Sequence, residues 1–238
     1  MYGKEFCKVY NEFGWNYYPE AFGEQLIEWL KLGSMKPLKM LDIGCGTGIL
    51  CEIMSNQGIE CTGIDLSEEM IKIAKQGNNI TTAPINYQTA NMITYIPKEK
   101  MDLVTCTGDA LNHLTDIKDI KTVFEHVYDY LNPDGAFIFD ILNGQEGHED
   151  EPFILDYSDS VKAEFRITKD NDGSITLRTA VYENDVFKFE EKIYEIYYDP
   201  NELIELLTNI GFRNITCSDQ LLPGEAGHGT TWFITARK

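Results

Sequence analysis

A glycine-rich stretch near residue 45 constrains the fold more than any other feature of this sequence. Leu38–Ile43 is an apolar run typical of a buried parallel strand, and Gly44, Gly46 and Gly48 follow at alternate positions. A helical pattern then begins at Ile49. Because glycine lacks a Cβ atom, the backbone can turn sharply here and a ligand can approach it closely. Strand, glycine turn and helix in this order predict the opening of a nucleotide-binding βαβ unit.

The glycine spacing and a later acid narrow the choice of nucleotide. The dinucleotide fingerprint is G-x-G-x-x-G/A, but here the third glycine comes one position early and Ile49 occupies the small-residue position. This counts against NAD and FAD. Asp65 ends the next apolar stretch, where an acid is placed to accept hydrogen bonds from ribose hydroxyls. NAD and S-adenosylmethionine (SAM) both carry that ribose, so Asp65 by itself does not choose between them.

Two motifs taken together resemble a known family. L-D-I-G-C-G-T-G at 41–48 and G-I-D-L-S at 63–67 are similar to the first two motifs of the class I SAM-dependent methyltransferases. The resemblance covers most of the chain and is closest to small-molecule enzymes such as glycine and aminosugar N-methyltransferases. It implies an α/β fold, namely a Rossmann-like, mostly parallel sheet of seven strands with strand seven antiparallel and helices on both faces. It also implies SAM as the cofactor.

The same resemblance assigns a donor pocket. The backbone at Gly44, Cys45 and Gly46 is expected to contact the methionine moiety and the ribose. Asp42 is expected to help hold the methionine ammonium group, and Asp65 to bind the ribose hydroxyls.

The adenine end of that pocket is expected to involve three further residues. Leu66 and Met92 border the ring in this interpretation, although both also suit a plain core. Asn91 stands where the family more often has Asp; it can present a donor and an acceptor to the ring, or serve only as a turn residue. Cys106, at the end of the fourth strand, is also predicted to contact the cofactor.

The acceptor side is expected beyond the fourth strand, because ligands of open α/β sheets bind at the carboxyl ends of the strands. The resemblance makes His113 a candidate catalytic base; a structural histidine bonded to a backbone carbonyl is the alternative. Tyr18 is a second catalytic candidate. Asp109 and Asn112 would make a poor site for a divalent cation, so no metal is predicted. Two more residues, Tyr10 and His228, are candidates by position only.

Three regions are predicted along the chain. Residues 1–35 are rich in aromatic side chains and form a helical segment that either caps the sheet or closes over the site as a lid. Residues 36–150 and 199–238 form the SAM-binding core, with strand five at Ala136–Ile141 after a turn. Residues 151–198 alternate apolar and polar side chains and predict an antiparallel insertion of about three strands, either a substrate cover or a subunit contact.

Composition limits the partners. The net charge of −19 would repel a nucleic acid on average, which favours a small or cationic substrate. No apolar run reaches the roughly 20 residues needed to span a bilayer, and the N-terminus does not resemble a signal peptide, so we expect a cytoplasmic protein without a membrane partner. The six cysteines form no C-x-x-C pair and are expected to be free thiols. A monomer and a homodimer are equally compatible with the pattern.

The sequence therefore predicts a SAM-dependent methyltransferase that acts on a nitrogen or oxygen nucleophile of a small molecule. Two alternatives stay open at this point. One is a SAM-binding regulatory protein without catalysis, and the other is an NAD-dependent oxidoreductase, which Ile49 disfavours.

Overall fold

The computed structural model describes residues 2–77, 81–143, 152–158, 160–169, 174–222, 229 and 231–238. The helices are α1 (Lys4–Val9), α2 (Tyr17–Leu32), α3 (Ile49–Asn56), α4 (Glu68–Gln76), α5 (Ile117–Tyr130) and α6 (Pro200–Ile210), with a 3-10 helix at Ala110–His113. The strands are β1 (Lys39–Ile43), β2 (Glu60–Asp65), β3 (Ile85–Thr89), β4 (Met101–Cys106), β5 (Leu131–Leu142), β6 (Phe153–Asp156), β7 (Val161–Lys169), β8 (Ser174–Glu183), β9 (Val186–Ile196), β10 (Arg213–Ser218) and β11 (Thr231–Arg237). None of these helices combines the length and apolarity needed to cross a bilayer.

The central sheet has seven strands in the order β10-β11-β5-β4-β1-β2-β3. Neighbouring strands from β5 to β3 pair in parallel, whereas β11 is antiparallel to both β5 and β10. The chain reverses direction across the sheet at β1 and β4, and this switch is where open α/β sheets bind their ligands. The predicted Rossmann-like sheet with an antiparallel seventh strand is confirmed.

Both faces of the sheet are covered. On one face, Phe124 of α5 is fully buried against Phe137 and Phe139 of β5, with ring centroids 5.6 and 5.1 Å away. On the other face, Leu26 of α2 and Leu50 of α3 join a second buried cluster. Strands buried on both faces must be apolar throughout, which explains why their sequences show no alternation.

The helix ends follow the sequence signals. Ser67 accepts a hydrogen bond from the backbone N–H of Met70 (3.3 Å) and so caps α4. Asp199 caps α6 by accepting from the N–H of Asn201 (2.9 Å), and Gly211 ends that helix at a φ of +119°. Ser, Asp and Gly are common residue types at these positions, and the caps fix where α4 and α6 begin and where α6 ends.

Two boundaries differ from the prediction. Strand β5 begins at Leu131 rather than Ala136. The expected turn is a bulge inside the strand, because Leu131 pairs with Met101 while Ala136, five residues later, pairs with Leu103. The insertion contains four strands, not three, in the order β6-β7-β8-β9. The short strand β6 was missed because four residues carry too little periodicity to be recognised.

The 3-10 helix joins this second sheet to the core. The side-chain amide of Asn112 donates to the carbonyl of Ile196 at the end of β9 (2.7 Å), and its oxygen accepts from the N–H of Leu142 (3.2 Å). The hydroxyl of Tyr198 donates to the carbonyl of Leu114 (2.5 Å). Since Asn112 is fully buried, these bonds hold the end of β9 beside the 3-10 helix.

The packing of α5 predicts the effect of a core truncation. Phe124→Ala removes a fully buried ring and leaves a cavity, so the free energy of unfolding should fall by about 3–5 kcal/mol. Urea or guanidinium unfolding of the variant measures this loss. Tyr17→Ala, at a side chain that is 70% exposed, is the matched aromatic control and should change stability by about 0.5 kcal/mol or less. Equal losses in both variants would contradict the assignment of the core.

Candidate active site

A cavity of about 370 Å³ lies at the carboxyl ends of β1, β2 and β4. Its walls come from the glycine turn, the loops after β2, β3 and β4, and the N-terminal segment. The lining residues are Tyr2, Tyr10, Tyr18, Pro19, Asp42, Gly44, Cys45, Gly46, Thr47, Ile49, Leu50, Ile64, Asp65, Leu66, Ser67, Ala90, Asn91, Met92, Ile93, Thr107, Gly108, Ala110, His113 and Leu114. The cavity therefore occupies the position at the strand switch that the fold predicts for a ligand.

The backbone of the glycine turn has a conformation that lets a ligand approach it closely. Gly44, Gly46 and Gly48 have φ values of +73°, +52° and +86°, which side chains with a Cβ rarely adopt. The N–H groups of Gly44 and Cys45 both donate to the carbonyl of Ile64 (2.8 and 2.9 Å), which ties the turn to β2. A Cβ added at Gly46 would meet nothing within 4 Å. The bare backbone at Gly46 thus leaves room for a ligand.

Asp65 is fixed beside this turn. One carboxylate oxygen accepts from the N–H of Gly46 (2.9 Å) and the other from the N–H of Ser67 (2.8 Å). Burial raises the pKa of Asp65, and the two backbone donors act in the opposite direction. Each carboxylate oxygen has a further lone pair, so the group can also accept from a ligand hydroxyl.

Asp42 is a second acid at the cavity wall, at the end of β1. It is only 3% exposed; one oxygen accepts from the hydroxyl of Thr105 (2.7 Å), and the thiol of Cys51 lies 3.8 Å from the other. Burial raises the pKa of Asp42 to about 7. A buried acid of this kind becomes more easily ionised when a cation binds next to it.

The charge of the cavity wall favours a cation. Its described lining includes Asp42 and Asp65 but neither lysine nor arginine. Burial lowers the pKa of His113, the one histidine of that lining, so it is neutral at pH 7. The pyrophosphate of NAD would face two acids here with no positive partner, whereas an ammonium or sulfonium group would be attracted.

The three residues expected at the adenine end all line the cavity. Leu66 lines the cavity with 54% of its side chain exposed, and Met92 lines it from a position packed against the core. The side-chain oxygen of Asn91 accepts from the N–H of Ile93 (2.9 Å), so Asn91 is a turn residue as well as a lining residue. With that oxygen engaged, Nδ2 of Asn91 is the natural donor toward a ring nitrogen.

The two cysteines predicted to contact the cofactor lie in different environments in the structure. Cys45 lines the cavity, but Cys106 is fully buried in the hydrophobic core and is absent from the cavity wall. The next residues, Thr107 and Gly108, line the cavity instead. The placement of Cys106 is corrected for a physical reason: it is the last residue of β4, and its side chain points into the core.

The N-terminal segment covers the cavity. Tyr2, Tyr10 and Tyr18 all contribute to its wall. Asn11 accepts a hydrogen bond from the hydroxyl of Thr47 (2.9 Å), so the segment is bonded directly to the glycine turn. Burial raises the pKa of all three tyrosines, which keeps their hydroxyls protonated.

Tyr18 is held by an acid that sequence reasoning missed. Its hydroxyl donates to Asp140, which is fully buried and also accepts from the N–H groups of Gly108 and Asp109 (both 2.9 Å). Burial raises the pKa of Asp140 to about 6. The Tyr18 hydroxyl therefore makes its hydrogen bond to a protein acid, and this bond fixes the position of Tyr18 in the cavity wall. A lone acid in the apolar stretch 136–141 is the signal that could have identified Asp140.

His113 meets the insertion. Its Nδ1 lies 3.3 Å from the carbonyl oxygen of Tyr194, and its Nε2 lies 3.8 Å from a carboxylate oxygen of Glu195. Burial, and then the charge of Asp140, raises the pKa of Glu195 to about 7. No sequence signal pointed to Glu195, because its place beside His113 depends on how β9 docks. The other histidine candidate, His228, lies outside the described residues.

Across the described part of the chain, no group of three or more histidine, cysteine, aspartate or glutamate side chains is arranged to hold a metal ion. Asn112, considered with Asp109 as a metal ligand, uses its amide to join β5 and β9. All six cysteines are free thiols, and five of them are buried.

Comparison with known proteins agrees with this α/β fold. Residues 40–135 match the family described as a methyltransferase domain. The ubiquinone biosynthesis O-methyltransferase of Idiomarina loihiensis is 34% identical over 107 residues, which cover 44% of this chain and 42% of that protein. The chain spans about half the length of the curated relatives it matches.

Two solved structures share the fold. A SAM-dependent methyltransferase from Clostridium acetobutylicum superposes with a TM-score of 0.83 at 22% identity, over 98% of this chain and 97% of that one. CalS10, an amino pentose methyltransferase from Micromonospora echinaspora, superposes with a TM-score of 0.73 at 17% identity, over 100% and 98%. These findings identify a methyltransferase domain at residues 40–135, on a fold that the chain shares with SAM-dependent methyltransferases, and they support SAM as the cofactor.

The residues present fit SAM. The open backbone at Gly46 leaves room for the methionine moiety and ribose, and Asp65 is placed for the ribose hydroxyls. Asp42 has no cationic partner among the described residues, so it can pair with an ammonium group. These contacts suit a ligand with two positive charges better than they suit a dinucleotide.

The raised pKa of Asp42 predicts how cofactor affinity depends on pH. Only the ionised carboxylate attracts an ammonium group, so the dissociation constant of S-adenosylhomocysteine should fall about fivefold to tenfold between about pH 6 and about pH 8. Calorimetric titration at several pH values measures it. Asp42→Asn cannot ionise and should give weaker binding without this slope. An equal slope in that variant would assign the effect to another group.

Proposed function

We propose that the protein transfers a methyl group from SAM to a nitrogen or oxygen nucleophile of a small molecule. The observation that carries the proposal is the cavity itself: an acid-lined space without lysine or arginine in its described wall, next to a glycine turn that leaves the backbone open. SAM supplies an electrophilic methyl group on a sulfonium, and this donor needs no metal. The protein has to bind both reactants in line and keep the nucleophile unprotonated.

The roles of the donor pocket follow from the geometry. Asp65 orients the ribose, Asp42 pairs with the methionine ammonium, and Leu66 and Met92 border the adenine with Asn91 at its polar edge. Backbone at Gly44 and Gly46 allows close contact. In this proposal the reactive end of the cofactor is directed toward His113, which lines the same cavity and whose ring contacts that of Tyr2.

The cover supports a small acceptor. The ring of Phe13 stacks on Tyr157 with centroids 4.1 Å apart, and the N–H of Gly3 donates to Glu191 on β9 (3.0 Å). Residues 1–35 are thus held between the core and the insertion, and they act as a lid that must open for exchange of cofactor and product.

His113 is the proposed catalytic base. It is neutral because burial lowers its pKa, and a neutral imidazole can accept a proton from the nucleophile. The names of similar proteins include both an O-methyltransferase and an amino pentose methyltransferase, so they support both kinds of nucleophile.

A ligand-induced change in melting temperature tests the proposal. S-adenosylhomocysteine and SAM at about 100 times their dissociation constant should raise the melting temperature by about 5–10 °C, and NAD should not. In Asp65→Ala the shift should be largely lost. The exposed Glu205→Ala is the charge-matched control and should keep it.

Three results would redirect the proposal. Stabilisation by NAD alone would favour the oxidoreductase. Binding of S-adenosylhomocysteine without transfer to any acceptor would favour a regulatory SAM-binding protein. Loss of the shift in Glu205→Ala as well would mean that Asp65 acts only through general stability.

A further inference from the structure

The carboxylate of Asp140 connects separate parts of the site. It is fully buried, and it accepts hydrogen bonds from the hydroxyl of Tyr18 and from the N–H groups of Gly108 and Asp109 (both 2.9 Å). Tyr18 belongs to α2 in the N-terminal segment, whereas Gly108 and Asp109 lie in the loop after β4. Asp140 therefore joins β5 to two elements that come from distant parts of the chain.

The loop after β4 depends on this acceptor. Gly108 and Asp109 have φ values of +70° and +60°, and left-handed backbone is strained at a residue other than glycine. Strained backbone persists where the surrounding contacts fix it, and here both N–H groups point at the same carboxylate. Asp140 thus fixes the path of the chain as it leaves β4.

That path decides where His113 lies. Asp109 is the N-cap of the 3-10 helix, and its carbonyl accepts the first hydrogen bond of the helix, from the N–H of Asn112 (2.9 Å). His113 is the last residue of this helix. The side chain of Asn112 is bonded in turn to the N–H of Leu142, two residues beyond Asp140 on the same strand (3.2 Å). Strand β5 therefore holds both the start and the end of the helix that carries His113.

The N-terminal segment reaches the same point through Tyr18. Its ring lines the cavity, and a Cβ added at Gly108 would meet that ring at 3.9 Å. The loop after β4 thus contacts Tyr18 directly as well as through Asp140. Because the segment must open for exchange of cofactor and product, opening removes Tyr18 from the loop and from Asp140 together.

Asp140 carries its charge in this arrangement. Burial raises the pKa of Asp140 to about 6, and its three donors act in the opposite direction. The pKa of Asp109 is raised well above its usual range, by burial first and then by the charge of Asp140. Of these two acids, Asp140 is therefore the ionised one at about pH 7, and a carboxylate can accept all three hydrogen bonds. Loss of the Tyr18 donor leaves a buried charge with less compensation.

We propose that Asp140 is a positioning residue, whose carboxylate couples closure of the N-terminal segment to the placement of His113. The inference rests on the proposed function, in which His113 is the base. In the closed protein Asp140 has all its donors and the 3-10 helix is fixed. In the open protein the Tyr18 donor is lost and the helix is held less firmly. The base is consequently aligned only while the cavity is covered, which keeps water away from the reacting groups.

Amide hydrogen exchange, resolved by NMR in the ligand-free protein, tests the coupling without turnover. Tyr18→Phe removes one hydroxyl and keeps the ring in the cavity wall. We expect the N–H groups of Gly108 and Asp109 to exchange about tenfold faster in this variant, because one hydrogen bond to a charged group no longer opposes opening. Tyr17→Phe removes a hydroxyl from the neighbouring side chain, which is 70% exposed, and should match the wild type.

The imidazole ¹⁵N signals of His113 report its placement. They are identified by their absence in His113→Gln. In protein saturated with S-adenosylhomocysteine, they should shift in Tyr18→Phe and stay at the wild-type position in Tyr17→Phe.

Release of S-adenosylhomocysteine tests the link to the cavity. It should be about tenfold faster in Tyr18→Phe than in the wild type, and unchanged in Tyr17→Phe. Asp140→Asn keeps the size of the side chain but places an amide donor against a backbone N–H, so it should also speed release. If the Tyr18 hydroxyl acts through Asp140, the double variant should release the ligand no faster than Asp140→Asn alone.

Four results would overturn the proposal. They are unchanged exchange at Gly108 and Asp109 in Tyr18→Phe, equal effects in Tyr17→Phe, unshifted His113 signals, and additive effects on release. Faster exchange spread evenly over β5 would overturn it as well, because that result would show only a general loss of stability. If Asp140→Asn does not fold, Tyr18→Phe still decides. Failure of the wild type to bind S-adenosylhomocysteine would instead overturn the proposed function, while exchange in the ligand-free protein would still decide the coupling.

Discussion

The structure depends on one backbone turn, in which Gly44, Gly46 and Gly48 all have positive φ and two N–H groups share the carbonyl of Ile64. Side chains with a Cβ would strain this turn, and the turn sets where β1 stops and α3 starts. Because β2 is bonded to the same turn, Asp65 is brought to the N–H of Gly46. The same few hydrogen bonds therefore fix the glycine turn and the position of Asp65 at the cavity wall.

A second constraint is the concentration of acids around the cavity. Asp42, Asp65, Asp140 and Glu195 are all raised in pKa, with burial as the largest cause in each. Each of the first three is supplied with hydrogen-bond donors from the protein; Glu195 is not. In this account the ligand-free protein holds buried acids whose charge is offset when a cationic cofactor binds, so stability is exchanged for binding.

The sequence was most informative where local chemistry decides the structure. The glycine turn and the apolar strands of the core depend on neighbouring residues, and they were predicted closely. The positions of Asp42, Asp65 and Asn91 in the cavity wall followed from the fold. Glu195 and Asp140 depend on the docking of β9 and of the N-terminal segment, which no local pattern encodes. The prediction for Cys106 was wrong because successive side chains of a strand point to opposite faces. A difference of one residue at the end of a strand therefore decides whether a side chain lies in the cavity wall or in the core.

A crystal structure of the protein with S-adenosylhomocysteine tests the central claim most directly. The account predicts ribose hydroxyls on Asp65, the amino group beside Asp42, and the sulfur directed toward His113, with the N-terminal segment closed over the ligand. A ligand bound elsewhere, or bound in this cavity with the ribose turned away from Asp65, would contradict the assignment of the donor pocket and everything built on it.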